Sequence, residues 1–252
     1  MSTDTLLLLA LGAAAAGFVQ GLSGFGFSMV AVSIWAWALE PRLAATMAVF
    51  GGFTGQVVAA VTVRRGFDAK ALLPFVAGGL AGVPLGVLLL PRLDMDAFKL
   101  VLGALLVLFC PAMLLAQRLP RITRGGRWAD AVAGLAGGVM GGLGGFTGVI
   151  PTLWCTLRGL PKDRQRAIIQ NFNLAMLSVT LATYVASGIV TPTMWPLFAV
   201  VGPAMLVPSL LGARIYTGIS EATFRQIVLG LLTLTGVALL ASALPKVLSP
   251  LA

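Results

Sequence analysis

The sequence predicts an all-α polytopic membrane protein: two inverted repeats, each with a glycine-broken re-entrant helical hairpin plus three transmembrane helices. Three observations carry that expectation. Of 252 residues, 58% are hydrophobic and 10% charged, where an average soluble domain has about 25% charge, so a water-soluble globule is excluded. The apolar residues gather into eight runs, near 5–39, 43–63, 71–91, 97–117, 128–157, 167–187, 194–213 and 222–244. The first and fifth runs are too long for a single crossing, and glycines interrupt both.

Taken in order, the first run opens at Leu6. It follows Asp4 with no Lys or Arg, unlike a secretory leader, so this segment is expected to be retained. Residues 21–27, GLSGFGF, break it. The second to fourth runs have about 20 residues each, the length of one crossing at about 1.5 Å per residue. The fifth is broken by residues 141–148, GGLGGFTG, and three more runs of crossing length follow. Gly21-Leu22-Ser23-Gly24-Phe25 aligns with Gly142-Leu143-Gly144-Gly145-Phe146 at a spacing of 121. Pro41 and Pro161, Gly86 and Gly212, and Phe98-Lys99 and Phe224-Arg225 follow at spacings of 120 to 126. The chain thus divides into a first transmembrane repeat (1–117), a basic linker (118–127, RLPRITRGGR) expected in the cytoplasm, and a second transmembrane repeat (128–252).

Charge decides how the long runs cross, because Lys and Arg of short loops collect on the cytoplasmic side. Single crossings would divide the 17 basic residues 8 against 9. If each long run turns at its glycines and returns, the division becomes 13 against 4, with Arg42, Arg92, Lys99 and Lys246 on the poorer side. Each half then crosses three times, so the second half is inverted relative to the first, a recurring transporter architecture. Trp35, Trp37, Trp128, Trp154 and Trp195 fall near run ends, as in an interfacial aromatic belt.

Irregular backbone at membrane depth is tolerated only against protein or a watery cavity, so two matching breaks imply one central cavity. A half-helix that starts there presents free N–H groups and a positive dipole end, an anion site that needs no basic side chain. Candidate residues are therefore Gly21, Ser23, Gly24, Phe25, Gly26 and Ser28 at the first break, and Gly144, Gly145, Phe146, Thr147 and Gly148 at the second. Gln170, Asn171 and Asn173 add amides to the sixth run; Gln170 and Asn173 share a helix face, and Asn171 does not. Thr46, Thr54 and Gln56 are lesser polar candidates. Arg166 lies one turn before Gln170 and is placed to draw anions from the cytoplasm.

The composition also excludes functions. The chain has no histidine, which removes the commonest metal ligand and general base; no metal or cofactor is expected. Gly21-Leu22-Ser23-Gly24 matches the G-x-S-G of intramembrane serine proteases but has no histidine to activate the serine. No phosphate-binding lysine loop follows either glycine cluster. Cys110 and Cys155 lie inside apolar runs and behave as small hydrophobes. The formal charge of +9 is read as membrane topology, with no nucleic acid as partner. The expected partners are a small anionic substrate and the lipid bilayer; homodimer and monomer both stay open.

The paired motifs GFVQGLSGFGF (17–27) and GGVMGGLGGFTGVIP (137–151), with Ala45-Thr46 after Pro41 and the Gly86 and Gly212 elements, resemble the sulfite exporter TauE/SafE family. The resemblance covers nearly the whole chain. It implies secondary transport of small anions across the bacterial inner membrane, the substrates being sulfite, sulfonates such as sulfoacetate, or related organic acids. It also implies that residues 21–27 and 142–151 line the path. The stretch DRQRAIIQNFN (163–173) departs from the Thr-Ser-like pattern of many members, which favours an organic anion over bare sulfite. A passive anion channel of the same fold and a non-transporting membrane scaffold are the alternatives.

Overall fold

The computed structural model describes residues 3–62, 66–116, 118, 120–215 and 221–248. Arg64, Arg65 and the side chain of Arg225, which entered the charge division, and the side chain of Phe224, which entered the repeat alignment, lie outside the described residues. Ten α-helices follow one another: α1 (Thr3–Ser23), α2 (Phe27–Trp35), α3 (Pro41–Thr62), α4 (Ala69–Leu89), α5 (Met95–Leu115), α6 (Gly126–Gly144), α7 (Val149–Leu157), α8 (Lys162–Ala186), α9 (Trp195–Ile215) and α10 (Glu221–Leu248). Two short 3₁₀ turns, Leu90–Arg92 and Pro192–Met194, extend α4 and precede α9. Among the described residues there is no strand, and seven helices (α1, α3, α4, α5, α8, α9 and α10) are long and apolar enough to cross a membrane.

Local chemistry sets the helix ends. Asp68 caps α4 by accepting from the Ala71 N–H at 3.1 Å, and Asp94 caps α5 through Ala97 at 2.7 Å. The two long runs stop where a glycine turns left-handed, Gly24 at φ 76° and Gly145 at φ 79°. At the second stop Gly145 N–H donates to Gly141 O at 2.7 Å and Phe146 N–H to Met140 O at 3.2 Å, the paired closure that satisfies the last carbonyls of a helix. Side chains with a Cβ rarely adopt that conformation.

After each stop a nine-residue helix runs back along its predecessor. Trp35 at the end of α2 donates its indole N–H to Leu8 O of α1 at 3.2 Å. Arg158, just past α7, reaches Asp130 of α6 at 2.7 Å. The arms are unequal: α1 has 21 residues and α6 has 19, about 30 Å at the helical rise, whereas α2 and α7 return less than half of that. Gly24 stands against Gln170, and Gly145 stands beside Ser28 at the start of α2.

Glycines weld helices of one half to helices of the other. Gly78, Gly82 and Gly86 of α4 and Gly134, Gly138 and Gly142 of α6 recur every four residues, and a Cβ at any of them would run into backbone of the facing helix. The same contact joins α1 to α9 through Gly17, Gly21 and Gly212. Such close approach supplies dispersion contact where hydrocarbon gives no hydrophobic drive. Around these pairs, α3 packs on α8 and α5 on α10. Trp35 is fully buried, edge-on to Phe27, and so departs from the expected aromatic belt; the N–H···O bond to Leu8 draws it inward. Trp37, Trp128 and Trp195 are exposed.

Candidate functional site

Both breaks open onto one small cavity of about 30 Å³, room for about one or two waters. From the first half it is lined by Gln20, Phe25, Gly26, Phe27, Ser28, Met29, Gly52 and Gln56, and from the second by Gly145, Phe146, Thr147, Gly148, Val149, Asn173 and Leu177. No lining residue carries a charge. α2 and α7 both begin at this cavity, and neither has a side-chain cap, so the positive ends of two dipoles face it; at α7 the Val149 N–H already donates to Phe146 O at 3.2 Å and Pro151 carries none.

The polar lining is ordered. Thr147 donates its hydroxyl to Asn173 Oδ1 at 2.8 Å, and the Asn173 amide lies against Gly148. Gln56 donates to Gly24 O at 3.0 Å, fixing the first turn to α3. Gln20 donates to Gly52 O at 3.4 Å. Gln170 is buried with its amide nitrogen against Gly24, and among the described residues it makes no hydrogen bond. Ser28 is buried, with its hydroxyl 3.4 Å from Ala48 O.

Of the residues expected from the sequence, Phe25, Gly26, Ser28, Gly145, Phe146, Thr147, Gly148 and Asn173 line the cavity, and Gly24 and Gln170 adjoin it. Five stand apart. Gly21 is pressed against Ser209 backbone of α9 and serves helix packing. Ser23 is exposed, its hydroxyl bonded to Val19 O at 2.8 Å and to Phe25 O, so it closes the turn. Gly144 lies under the Phe146 ring. Asn171 donates to Gly66 O at 3.1 Å and Ala167 O at 2.8 Å, because its odd position on α8 turns it toward the α3–α4 loop. Arg166 is exposed and lines no cavity, having been carried to the outer face of α8.

Sequence reasoning missed Gln20. The signal was a lone amide in the first run, one turn ahead of the break. It also missed Asp130, which is only 8% exposed and accepts from Trp154 Nε1 and from Arg158, each at 2.7 Å. Trp154 and Arg158 stand four apart on α7, the spacing of one helix face, and that pattern was available in the sequence.

Seven helices long and apolar enough to cross a membrane, packed among the described residues around a small cavity of neutral polar groups, define a multi-pass membrane protein. Residues 9–239 match the family model described as Sulfite exporter TauE/SafE, and the chain belongs to that family. No curated protein and no solved structure matches it.

Proposed function

We propose that the chain is a secondary transporter that exports small anions, such as sulfite, sulfonates of the sulfoacetate kind or related organic acids, across the bacterial inner membrane. One observation carries the reading: two helix N-termini without side-chain caps meet at one uncharged cavity lined by amides and hydroxyls. Such a site stabilises negative charge through backbone N–H groups and has no carboxylate or histidine to hold a cation or proton. Asn173, Gln170 and Ser28 supply side-chain donors, Thr147 orients Asn173 through its own hydroxyl, and the glycines let the anion approach the backbone. The small volume favours a carrier over an open channel.

The membrane arrangement in this reading is an inverted repeat with two re-entrant hairpins. Contacts between loops support it. Arg42 donates to Pro91 O at 3.3 Å and Lys246 meets Asp96 at 3.5 Å at one end, while Arg164 meets Asp68 at 3.1 Å and Ile122 donates to Leu157 O at 2.9 Å at the other. That is the grouping of loops that returning hairpins require. The helix partners support a two-fold relation as well: exchanging the halves turns α1 with α9 into α6 with α4, and leaves α3 with α8 and α5 with α10 as they are. The bodies that move in alternating access are then the welded pairs, α1–α2 with α9 and α6–α7 with α4, rather than the two sequence halves.

The test is flux into liposomes of sulfite, sulfate, thiosulfate, sulfoacetate, taurine and simple carboxylates, after a thermal-shift screen in detergent. Saturable uptake with counterflow is expected for one anion class, and its loss in Gln170→Leu and Asn173→Leu proteins that still insert. Steady currents without counterflow would replace the carrier by a channel, and unchanged kinetics in both variants would remove the amides from the site.

A further inference from the structure

A second recess, of about 280 Å³, lies at the opposite end of α7 from the central cavity, where α4, α6 and α8 all begin. It holds Lys70, Arg127, Arg158 and Arg164 around Asp130. Two of these cations are already matched: Arg158 is bound to Asp130 at 2.7 Å, and Arg164 to Asp68 at 3.1 Å. Lys70 and Arg127 have no acidic partner among the described residues.

Their positions run against helix electrostatics. Lys70 is the second residue of α4, Arg127 the second of α6 and Arg164 the third of α8, so each cation stands in a first turn, where the macrodipole is already positive and favours acidic side chains. Asp68 caps α4 and Asp163 sits in the first turn of α8, so the open dipole of α6 and two unmatched cations meet on a single concave space. Phe75 and Ile168, both buried, form part of its wall, and an apolar wall strengthens the field acting on a bound charge. Interfacial anchoring explains a lone Lys or Arg at a helix end, but not cations from three helix starts facing one recess.

We propose that this recess binds a tetrahedral oxyanion of the phosphate and sulfate class, either free in solution or as a lipid headgroup, with Lys70 and Arg127 as its principal ligands. Arg158 is held in place by Asp130 and Trp154 and acts as a fixed positive wall. The site is separate from the central cavity and does not depend on the transport reading. About ten residues of α7 and its flanks, about 15 Å at the helical rise, separate Gly148 from Arg158.

The experiment is thermal unfolding of the full chain in neutral detergent, titrated with inorganic phosphate and with sulfate at constant ionic strength. It is run on the wild type, the double variant Lys70→Gln/Arg127→Gln, the central-cavity variant Asn173→Leu, and Arg92→Gln as a charge control at the other end. Phosphate or sulfate is expected to raise the unfolding temperature of the wild type, Asn173→Leu and Arg92→Gln alike. The double variant should need at least about tenfold more anion for the same rise, as expected for the loss of two charge-assisted contacts. A parallel arm compares nanodiscs of phosphatidylglycerol and of phosphatidylcholine. Stabilisation by phosphatidylglycerol alone, lost in the double variant, assigns the site to a lipid headgroup. An anion response that survives in the double variant and vanishes in Asn173→Leu places the binding in the central cavity and overturns the proposal, as does a wild type that responds to neither anion nor lipid. Because the readout is binding and not flux, the recess is tested even in a chain that transports nothing.

Discussion

Replacing Gly142 by Ala tests the weld between α4 and α6. The new Cβ would stand 2.5 Å from Val83 O, 2.7 Å from Val87 N and 2.8 Å from Gly86 Cα. All three are backbone atoms of α4, so no side chain can swing aside. Ordinary contact begins near 3.4 Å, so the helices must part locally by about 0.9 Å. A gap of that size forfeits about a quarter to a half of each dispersion well across the seam, and overpacking of this kind costs about 1–3 kcal/mol. Alanine's better helix propensity returns up to about 1 kcal/mol. From the middle of that cost range, about 2 kcal/mol, the net loss is about 1–2 kcal/mol, or about 2–8 °C in unfolding temperature for a chain of this size. Gly230→Ala on α10 is the control, since a Cβ there meets nothing within 4 Å and its propensity gain should stand alone. Thermal unfolding in detergent decides the matter. Equal unfolding temperatures for the wild type and Gly142→Ala, or an equal fall in Gly230→Ala, would refute the weld. Adding Gly86→Ala to Gly142→Ala should cost less than the sum of the two, because one parting of the helices relieves both contacts.

Gly145→Ala should destabilise more than Gly188→Ala. Both glycines are left-handed, at φ 79° and 73°, so both substitutions carry the backbone penalty of about 1–2 kcal/mol. Only Gly145 would also set a Cβ 2.6 Å from Ser28 Oγ, and the difference in unfolding temperature isolates that contact. Asp130→Ala strips the acceptor from both Trp154 and Arg158 and should cost about 2–4 kcal/mol, more than Asp130→Asn, which keeps an acceptor oxygen; equal losses in denaturation would show that the carboxylate's hydrogen bonds contribute nothing. Thr147→Val should leave insertion intact and cost about 1–3 kcal/mol, because the buried Asn173 oxygen loses its donor, and a changed half-saturation in the flux assay is the expected readout, since the hydroxyl that orders the amide is gone.

The membrane class, the eight apolar runs and the positions of both breaks were legible because each rests on local composition: hydropathy over about 20 residues, and glycine where a helix must turn left-handed. The convergence of both breaks on one cavity was legible too, through the repeat. What escaped was long-range partnership. Gly21 and Gly24 differ by three positions in one motif, yet one meets α9 backbone and the other meets Gln170, and nothing local separates packing from lining. Helix spacing separates Asn171 from Asn173, but which face meets the cavity and which the α3–α4 loop is set by the rotation of α8. Trp35 was assigned to the interface by its place near a run end, a rule that holds for single crossings and fails where a short helix ends against its own predecessor.

The cross-half welds also bear on how such a chain can be assembled. α1 finds its backbone-to-backbone neighbour in α9 and α4 finds its own in α6, so neither half closes a core by itself. Each half is the missing scaffold of the other, as the two parts of a clasp are. A chain severed within 118–127 and expressed as two pieces would be stable only when both are made together, since each piece alone leaves its glycine grooves unfilled.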